Sequence, residues 1–416
     1  MLNNYICAVD IGSSKISAVC AVLKNKKIVS LFMASTPSRG VKKGIVVDSV
    51  ELTNCLSGIL KSLKSKSGVN IRAIFCAVSG SDITTKHSRA IIPLAERGNK
   101  VVTLTDIHKV NEQARILASS LDEESIHQIP FSYSLDSKEE ILNPLGLYGH
   151  RMETDLYLVC AKTSTVDSLT RAVNQAGYEI KKIYFSGIAT ASAVFGRQQE
   201  GFSLLCDIGS DITEILLFQD GLLRNIEVMP LGAEEISLAI ARELGIPLDL
   251  AENVKKSHSF VSDPGSVEED KEILIKKDNI YRPVKQKLLL EIVNPQVESL
   301  CRLIKERVGK NISIDHIKNF VVGGRAVLLD GFLEKFEHVL GIPVQLGRVI
   351  DPEIANLIKK DEVSTTHAEL AYLTALGVVI QESRIDKLYL APVVNPPSNF
   401  FLKTLAKAKE VYQEYF

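Results

Sequence analysis

Asp10, Gly12, Ser13, Ser14 and Lys15 lie in one short acidic-glycine turn, and Asp207, Gly209, Ser210 and Asp211 repeat it about half a chain later. Residues of these types at this spacing suit a phosphate. Glycine lets the backbone bend tightly and brings N–H groups close to phosphate oxygens with no Cβ in the way. The hydroxyls of Ser13, Ser14 and Ser210 can donate to the same oxygens, with Thr213 counted beside them, and Lys15 can neutralise phosphate charge. Asp10 and Asp207 carry the wrong sign to touch phosphate directly. They make sense with a hydrated Mg²⁺ in between, because Mg²⁺ keeps several waters and takes few carboxylates. Two such turns facing each other would clamp one nucleotide from both sides.

The elements around the turns repeat as well. An apolar strand pattern, Tyr5 to Val9, enters the first turn; Lys15 to Leu23 leaves it, and a third run spans Ile28 to Met33. Around the second turn the same order reads Phe202 to Cys206, Ile212 to Phe218, then Leu222 to Val228. One Asp-x-Gly-Ser after a strand is also an ordinary β-turn. Two copies with matching flanks indicate a duplicated unit.

Further walls for a ligand lie in the second half. Gly232 opens a helix running to Leu244, and Glu252 and Lys255 share a helix face at i,i+3 spacing. A carboxylate can accept from ribose hydroxyls and a lysine stem can lie against adenine, although a Glu–Lys pair also suits a solvated helix face. The strand Asn319 to Val322 ends in Gly323, Gly324 and Arg325, before a helix expected from Leu328.

Length and composition bound these readings. The chain has 416 residues, 45% of them hydrophobic, enough for two or more cores. A net charge of −1 implies no broad attraction to nucleic acid. The seven cysteines show no metal spacing, and several sit in apolar strand patterns, as reduced core residues of a cytosolic protein do. The sequence opens straight into a strand pattern, without a signal peptide. No apolar run approaches the roughly 20 residues that span a bilayer.

In chain order, the first strands are followed by a helix near Val50 to Ser65 and a strand at Ile71 to Val78. The rhythm then changes: strand patterns at Ile83 to Leu94, Ser125 to Leu135 and Thr154 to Ala161 surround a helix opening at Thr105-Asp106, either of which can cap it. A helix at Thr165 to Ala176 and a strand at Ile180 to Phe185 come next. A helix of small residues, Ile188 to Phe195, has a counterpart at Leu370 to Val379, so both permit close approach.

The paired turns resemble the actin/Hsp70/sugar-kinase superfamily. Within it, Arg39 to Asp48, Ala77 to Ser81 and Asn143-Pro144-Leu145-Gly146-Leu147-Tyr148-Gly149 resemble the FtsA family of bacterial cell-division proteins almost end to end. The resemblance implies an α/β, actin-like (ribonuclease H-like), duplicated two-lobe ATPase fold with inserted subdomains. It implies a first core lobe at 1–82 and 163–198, an interaction insert at 83–162, and a second core lobe at 199–240 and 319–390. A second insert at 241–318, a linker at 391–398 and an amphipathic helix at 399–416 complete the division. Asp10 and Asp207 are then expected to hold Mg²⁺ through water. ATP would lie against Gly12, Ser13, Ser14, Lys15, Gly209, Ser210, Asp211, Thr213, Gly232, Glu252, Lys255, Gly323, Gly324 and Arg325. Three positions depart from the family pattern. Ser210-Asp211 replace glycines, with Asp211 adding negative charge near the expected terminal phosphate, and Arg325 stands where a third glycine is usual.

Many superfamily members place Glu or Gln at the start of the first connecting helix to orient water. Ser186-Gly187-Ile188-Ala189 offers none. General-base help is worth roughly 10²- to 10⁴-fold, so slow or negligible ATPase activity is expected.

The C-terminus carries a second signal. Ala391 to Ser398 is proline-rich and reads as extended linker. Beyond it, Phe401, Leu405, Ala408, Tyr412, Tyr415 and Phe416 share one helical arc opposite Lys403, Lys407, Glu410 and Glu414. This is the pattern of an interfacial helix, with Phe400, Phe401, Leu402, Leu405, Tyr412, Tyr415 and Phe416 as membrane-binding residues. Near-balanced charge contributes about 1 kcal/mol of lipid attraction, whereas each buried Phe or Leu contributes about 1.5–3 kcal/mol. Apolar insertion leads. A terminal helix docked on its own domain is the other reading of the same pattern.

The resemblance therefore implies an ATP-binding protein, peripheral on the cytoplasmic side of the inner membrane, that tethers FtsZ at the septum. Contacts to later division proteins and self-polymerisation are further expectations. A small-molecule kinase of the superfamily and a pilus-assembly actin homologue are the alternatives.

Overall fold

Three strands in a meander begin the chain: β1 (Tyr5–Ile11), β2 (Lys15–Lys24) and β3 (Lys27–Pro37). The computed structural model describes residues 5–95, 98–136, 138–196, 199–262, 271–277, 280–360 and 369–383. A small hairpin, β4 (Val41–Lys42) and β5 (Ile45–Val46), leads to helix α1 (Ser49–Ser67) and strand β6 (Ala73–Val78). Asp48 caps α1 by accepting from the Val50 and Glu51 N–H groups, and Gly68 ends the helix in the left-handed region. Leu52, Leu56, Leu60 and Leu63 of α1 pack on Val9, Ile16, Ala18, Cys20 and Cys76. β1 is apolar almost throughout because it is covered on both faces.

Residues 85–120 and 127–159 form a compact unit of their own. The elements of this stretch are β7 (Thr84–Pro93), β8 (Lys100–Val101), α2 (Leu104–Leu117), β9 (Glu123–Leu135), β10 (Lys138–Ile141), β11 (Tyr148–Gly149) and β12 (Arg151–Lys162). The main sheet runs β10-β9-β12-β7. α2 lies on it through Ile107, Val110 and Ala114, and Ser88 donates to the Ala114 carbonyl at 2.7 Å. The cap of α2 is Thr103 rather than Thr105 or Asp106. The Thr103 hydroxyl accepts from the Asp106 N–H while the Asp106 carboxylate accepts from the Thr103 N–H, a reciprocal capping box.

The other unit resumes with α3 (Thr163–Gln175), β13 (Glu179–Phe185) and α4 (Ser186–Val194). A second meander follows: β14 (Phe202–Ile208), β15 (Thr213–Gln219) and β16 (Leu222–Met229). Then come α5 (Glu234–Leu244), α6 (Leu248–His258), β17 (Glu272–Lys277), β18 (Ile280–Lys285) and α7 (Gln286–Asn311). The last elements are β19 (Ile317–Gly323), α8 (Phe332–Leu340), β20 (Gln345–Leu346), α9 (Pro352–Lys360) and α10 (Leu373–Ser383). The helix expected from Leu328 begins at Phe332. A short 3-10 turn, Ala326–Leu328, and Gly331 at φ 77° intervene.

The two large sheets have one topology. Their orders are β13-β6-β1-β2-β3 and β20-β19-β14-β15-β16, each an antiparallel meander extended by two parallel strands. The duplicated unit is therefore real at the level of hydrogen-bond pairing, and the molecule has the actin-like two-lobe fold. The small-residue helices α4 and α10 pack against each other. A Cβ on Gly377 would stand 1.7 Å from the Ala189 carbonyl oxygen, so only glycine allows this separation. α10 begins three residues later and ends four residues later than the pattern Leu370 to Val379 suggested. All seven cysteines are free, and six are buried.

Candidate functional site

Each acidic-glycine turn joins the first two strands of its sheet. The Gly12 N–H donates to the Lys15 carbonyl at 3.1 Å, and the Gly209 N–H donates to the Ile212 carbonyl at 2.8 Å. A Cβ would meet those carbonyl oxygens at 3.0 and 2.7 Å. These two N–H groups thus close their own hairpins. The turns line one cleft of about 490 Å³, with Asp10, Gly12, Ser13, Ser14 and Lys15 from one lobe and Asp207, Gly209, Ser210 and Asp211 from the other.

Glu252, Lys255, Gly324 and Arg325 line the same cleft. Thr213, Gly232 and Gly323 do not. The buried Thr213 hydroxyl donates to the Leu231 carbonyl at 2.7 Å and is unavailable. Gly232 lets its segment approach the second turn, since a Cβ would lie 2.5 Å from the Ser210 carbonyl oxygen. Gly323 lies behind Asp207, where a Cβ would come within 3.4 Å of the carboxyl carbon.

Charge is concentrated at the cleft floor. Burial pushes the Asp10 carboxyl up to about 6, with Lys15 pulling it down and Asp207 pushing it up. Burial also raises Asp207, against the Thr190 hydroxyl that donates to it at 3.0 Å. Burial brings the Lys15 ammonium down to about 8, opposed by Asp10 and reinforced by Arg325. Lys15 Nζ donates to the Ala371 carbonyl. Two desolvated carboxylates, the Asp207 charge raising the proton affinity of Asp10, are a donor set that a divalent cation would satisfy. The residues fit a hydrated Mg²⁺ held by Asp10 and Asp207, which would neutralise phosphate charge.

The Asp211 carboxylate has a backbone partner in the first lobe. It accepts from the Lys43 N–H at 2.6 Å, and the Gly44 N–H donates to Ser13 Oγ at 3.1 Å. The β4–β5 hairpin of the first lobe is therefore pinned to the second turn, which takes up Asp211 charge.

On the side wall, Glu252 and Lys255 form an ion pair at 2.6 Å, and Lys255 Nζ donates to the Ala233 carbonyl at 2.9 Å. Ser237 Oγ also donates to Glu252. Burial disfavours the Glu252 charge, but Lys255 holds its pKa below the usual value. The pair is a buried strut of the wall rather than a solvated face. Arg325 is exposed at the rim.

Sequence reasoning missed Ser79, Ser186, Glu214 and Thr374, all lining the cleft. Glu214 stands opposite Asp207 in the β14–β15 pairing and is 3% exposed. Burial first, then Asp207, raises its pKa well above the ordinary carboxyl range. The Ser79 hydroxyl pulls it the other way, yet neither Glu214 Oε1 nor Ser79 Oγ makes a hydrogen bond of normal geometry. A lone glutamate inside an apolar strand was the available signal.

The geometry can be set beside known proteins. A protein from Borreliella burgdorferi described as cell division protein FtsA is 26% identical over 397 residues, covering 93% of this chain and 94% of that one. The Escherichia coli protein of the same description is 24% identical over 355 residues, covering 82% and 83%. Among solved structures, the PilM-PilN type IV pilus biogenesis complex matches with TM-score 0.62 at 16% identity, over 91% of this chain and 98% of that one. MreB5 of Spiroplasma citri bound to ADP matches with TM-score 0.50 at 11% identity, over 92% and 98%. At these identities the structures speak for the actin-like fold alone. The model of the SHS2 domain inserted in FtsA matches residues 80–160, and that of cell division protein FtsA matches residues 204–377. Between them these two matches take up more than half of the sequence, one on the 85–159 unit and one on the second copy of the duplicated fold, and the chain belongs to the FtsA family of cell-division proteins.

Proposed function

We propose that the cleft binds Mg-ATP and that the protein tethers FtsZ filaments to the inner face of the cytoplasmic membrane, recruits later division proteins and self-polymerises. The observation that carries the nucleotide part is the convergence of both acidic-glycine turns on one cleft, with buried Asp10 and Asp207 at its floor. The solved MreB5 bound to ADP, which shares the fold, supports it. In this reading Lys15 and the serines meet the phosphates, and the Glu252–Lys255 strut and Arg325 border the nucleoside. Nucleotide acts chiefly as a conformational ligand.

The partner roles rest on family membership and on surfaces. Leu142, Leu145, Leu147 and Tyr148 of the 85–159 unit are exposed, Tyr148 by 70%, and offer an apolar face to a partner protein. The second insert, 241–318, is the expected FtsZ dock. The membrane-binding residues, Phe400 to Phe416, and the 391–398 linker lie outside the described residues, so the membrane role rests on the amphipathic pattern. Among the described residues no helix is long and apolar enough to cross a membrane.

Flotation on vesicles tests the proposal. The full chain with Mg-ATP is expected to carry FtsZ to the top of the gradient, and a chain lacking residues 399–416 is expected to leave it at the bottom. Equal flotation without the tail, or phosphorylation of a sugar by the purified protein, overturns the adaptor reading.

A further inference from the structure

We propose that Glu214 holds the attacking water for hydrolysis of the terminal phosphoanhydride in this cleft, reaching from β15 into the place where α4 lacks a carboxylate or carboxamide. The inference rests on the Mg-ATP reading above. α4 opens with Ser186-Gly187-Ile188-Ala189, none of which can accept from water as Glu or Gln does. Glu214 takes that space from the other side. A Cβ on Gly187 would lie 2.9 Å from Glu214 Oε2 and 2.5 Å from Leu216 Cδ1, so the glycine at the start of α4 is what makes room for the carboxylate.

Glu214 lines the cleft, and its buried Oε1 makes no hydrogen bond of normal geometry. An unsatisfied buried acceptor is costly, and native proteins retain few of them. Ser79, from the first lobe, lines the cleft with its hydroxyl turned to the same carboxylate, likewise outside normal hydrogen-bond geometry. A water held there meets an acceptor from one lobe and a hydroxyl from the other, so the site is complete only with both lobes in place. Oε1 can accept a hydrogen bond whether the carboxyl is ionised or protonated, so the role does not depend on its titration. In the step, the water oxygen bonds to the terminal phosphorus while its hydrogen bond to Glu214 fixes the line of attack. The bridging P–O bond breaks with its electron pair going to the nucleoside diphosphate, and both water protons leave on dihydrogen phosphate.

The full-length protein is assayed for single-turnover phosphate release from Mg-ATP and for affinity towards a fluorescent non-hydrolysable ATP analogue. Glu214→Met, which removes the acceptor, is expected to slow release about 100-fold or more. Analogue affinity should stay within a factor of about three, as for an interaction made only in the transition state. Glu214→Gln keeps a carbonyl acceptor and should stay within about tenfold of the unaltered chain. Adding Ser186→Glu to Glu214→Met should restore release. If the methionine variant does not fold, Glu214→Asp, which withdraws the carboxylate by one methylene, carries the same expected loss. Unchanged release in the methionine or aspartate variant, or joint loss of release and affinity, overturns the proposal. A chain that binds Mg-ATP and never hydrolyses it overturns this proposal alone, whereas a chain that binds no nucleotide overturns the Mg-ATP reading too.

Discussion

Asp10 illustrates what burial does to a functional carboxylate. Its pKa rises from 3.8 to about 6 in the folded, nucleotide-free protein, so the folded state binds more protons than the unfolded chain between those values. Stability of the empty protein should therefore fall as pH rises from about 4 to 6, and stay lowered above that. Asp10→Asn removes the ionisable group. It should stabilise the empty protein at pH 7 by about 2–3 kcal/mol, raising its thermal midpoint, and flatten the pH dependence. The same variant should lose Mg-dependent nucleotide binding, a trade of function for stability. A lower midpoint at pH 7, followed by calorimetry, would count against the desolvation argument. The matching turns that carry Asp10 and Asp207 were readable in advance, but the fate of Thr213 was not, since its type fits a phosphate turn and its hydroxyl goes to Leu231.

At the scale of elements, α4 and α10 set the approach of the two halves. Their contact depends on backbone meeting backbone, Gly377 over the Ala189 carbonyl, with Thr190 and Thr374 hydroxyls 3.0 Å apart beside it. Gln381 adds a hydrogen bond to Ser192 at 2.5 Å. Gly377→Ala cannot be absorbed by a flexible side chain, because the obstructing atom is main chain. It should destabilise the protein by about 3 kcal/mol, the upper end of overpacking costs, visible as a lower urea midpoint. The small-residue composition of both helices anticipated a close crossing. The register that puts Gly377 on Ala189 did not follow from it, since several glycines and alanines in these helices are equivalent in sequence.

For the molecule as a whole, the Asp211 carboxylate and the Lys43 N–H tie the second turn to the first lobe beside the cleft. Lys43 sits at φ 49°, unusual for a residue other than glycine, and its carbonyl accepts from the Ser81 N–H at 3.1 Å. The loop is thus fixed at both ends. A hydrogen bond to a charged group contributes about 1.5–3 kcal/mol, so Asp211→Ala should speed release of a fluorescent ATP analogue by about tenfold or more. Stopped-flow displacement measures this, and an unchanged release rate would mean that the bond does not restrain opening.

The sequence by itself determined the duplication, the two acidic turns, the small-residue helices and the reduced cysteines, because each is a local pattern of residue type and period. Only the tertiary structure decided that the turns share one cleft, that the Asp211 carboxylate accepts from the Lys43 backbone amide, and that Glu214 occupies the space left at the start of α4. Those facts join residues far apart in the chain. Their physical cause is the pairing of strands and the contact of two helices, which bring a carboxylate from one lobe against a glycine from the other.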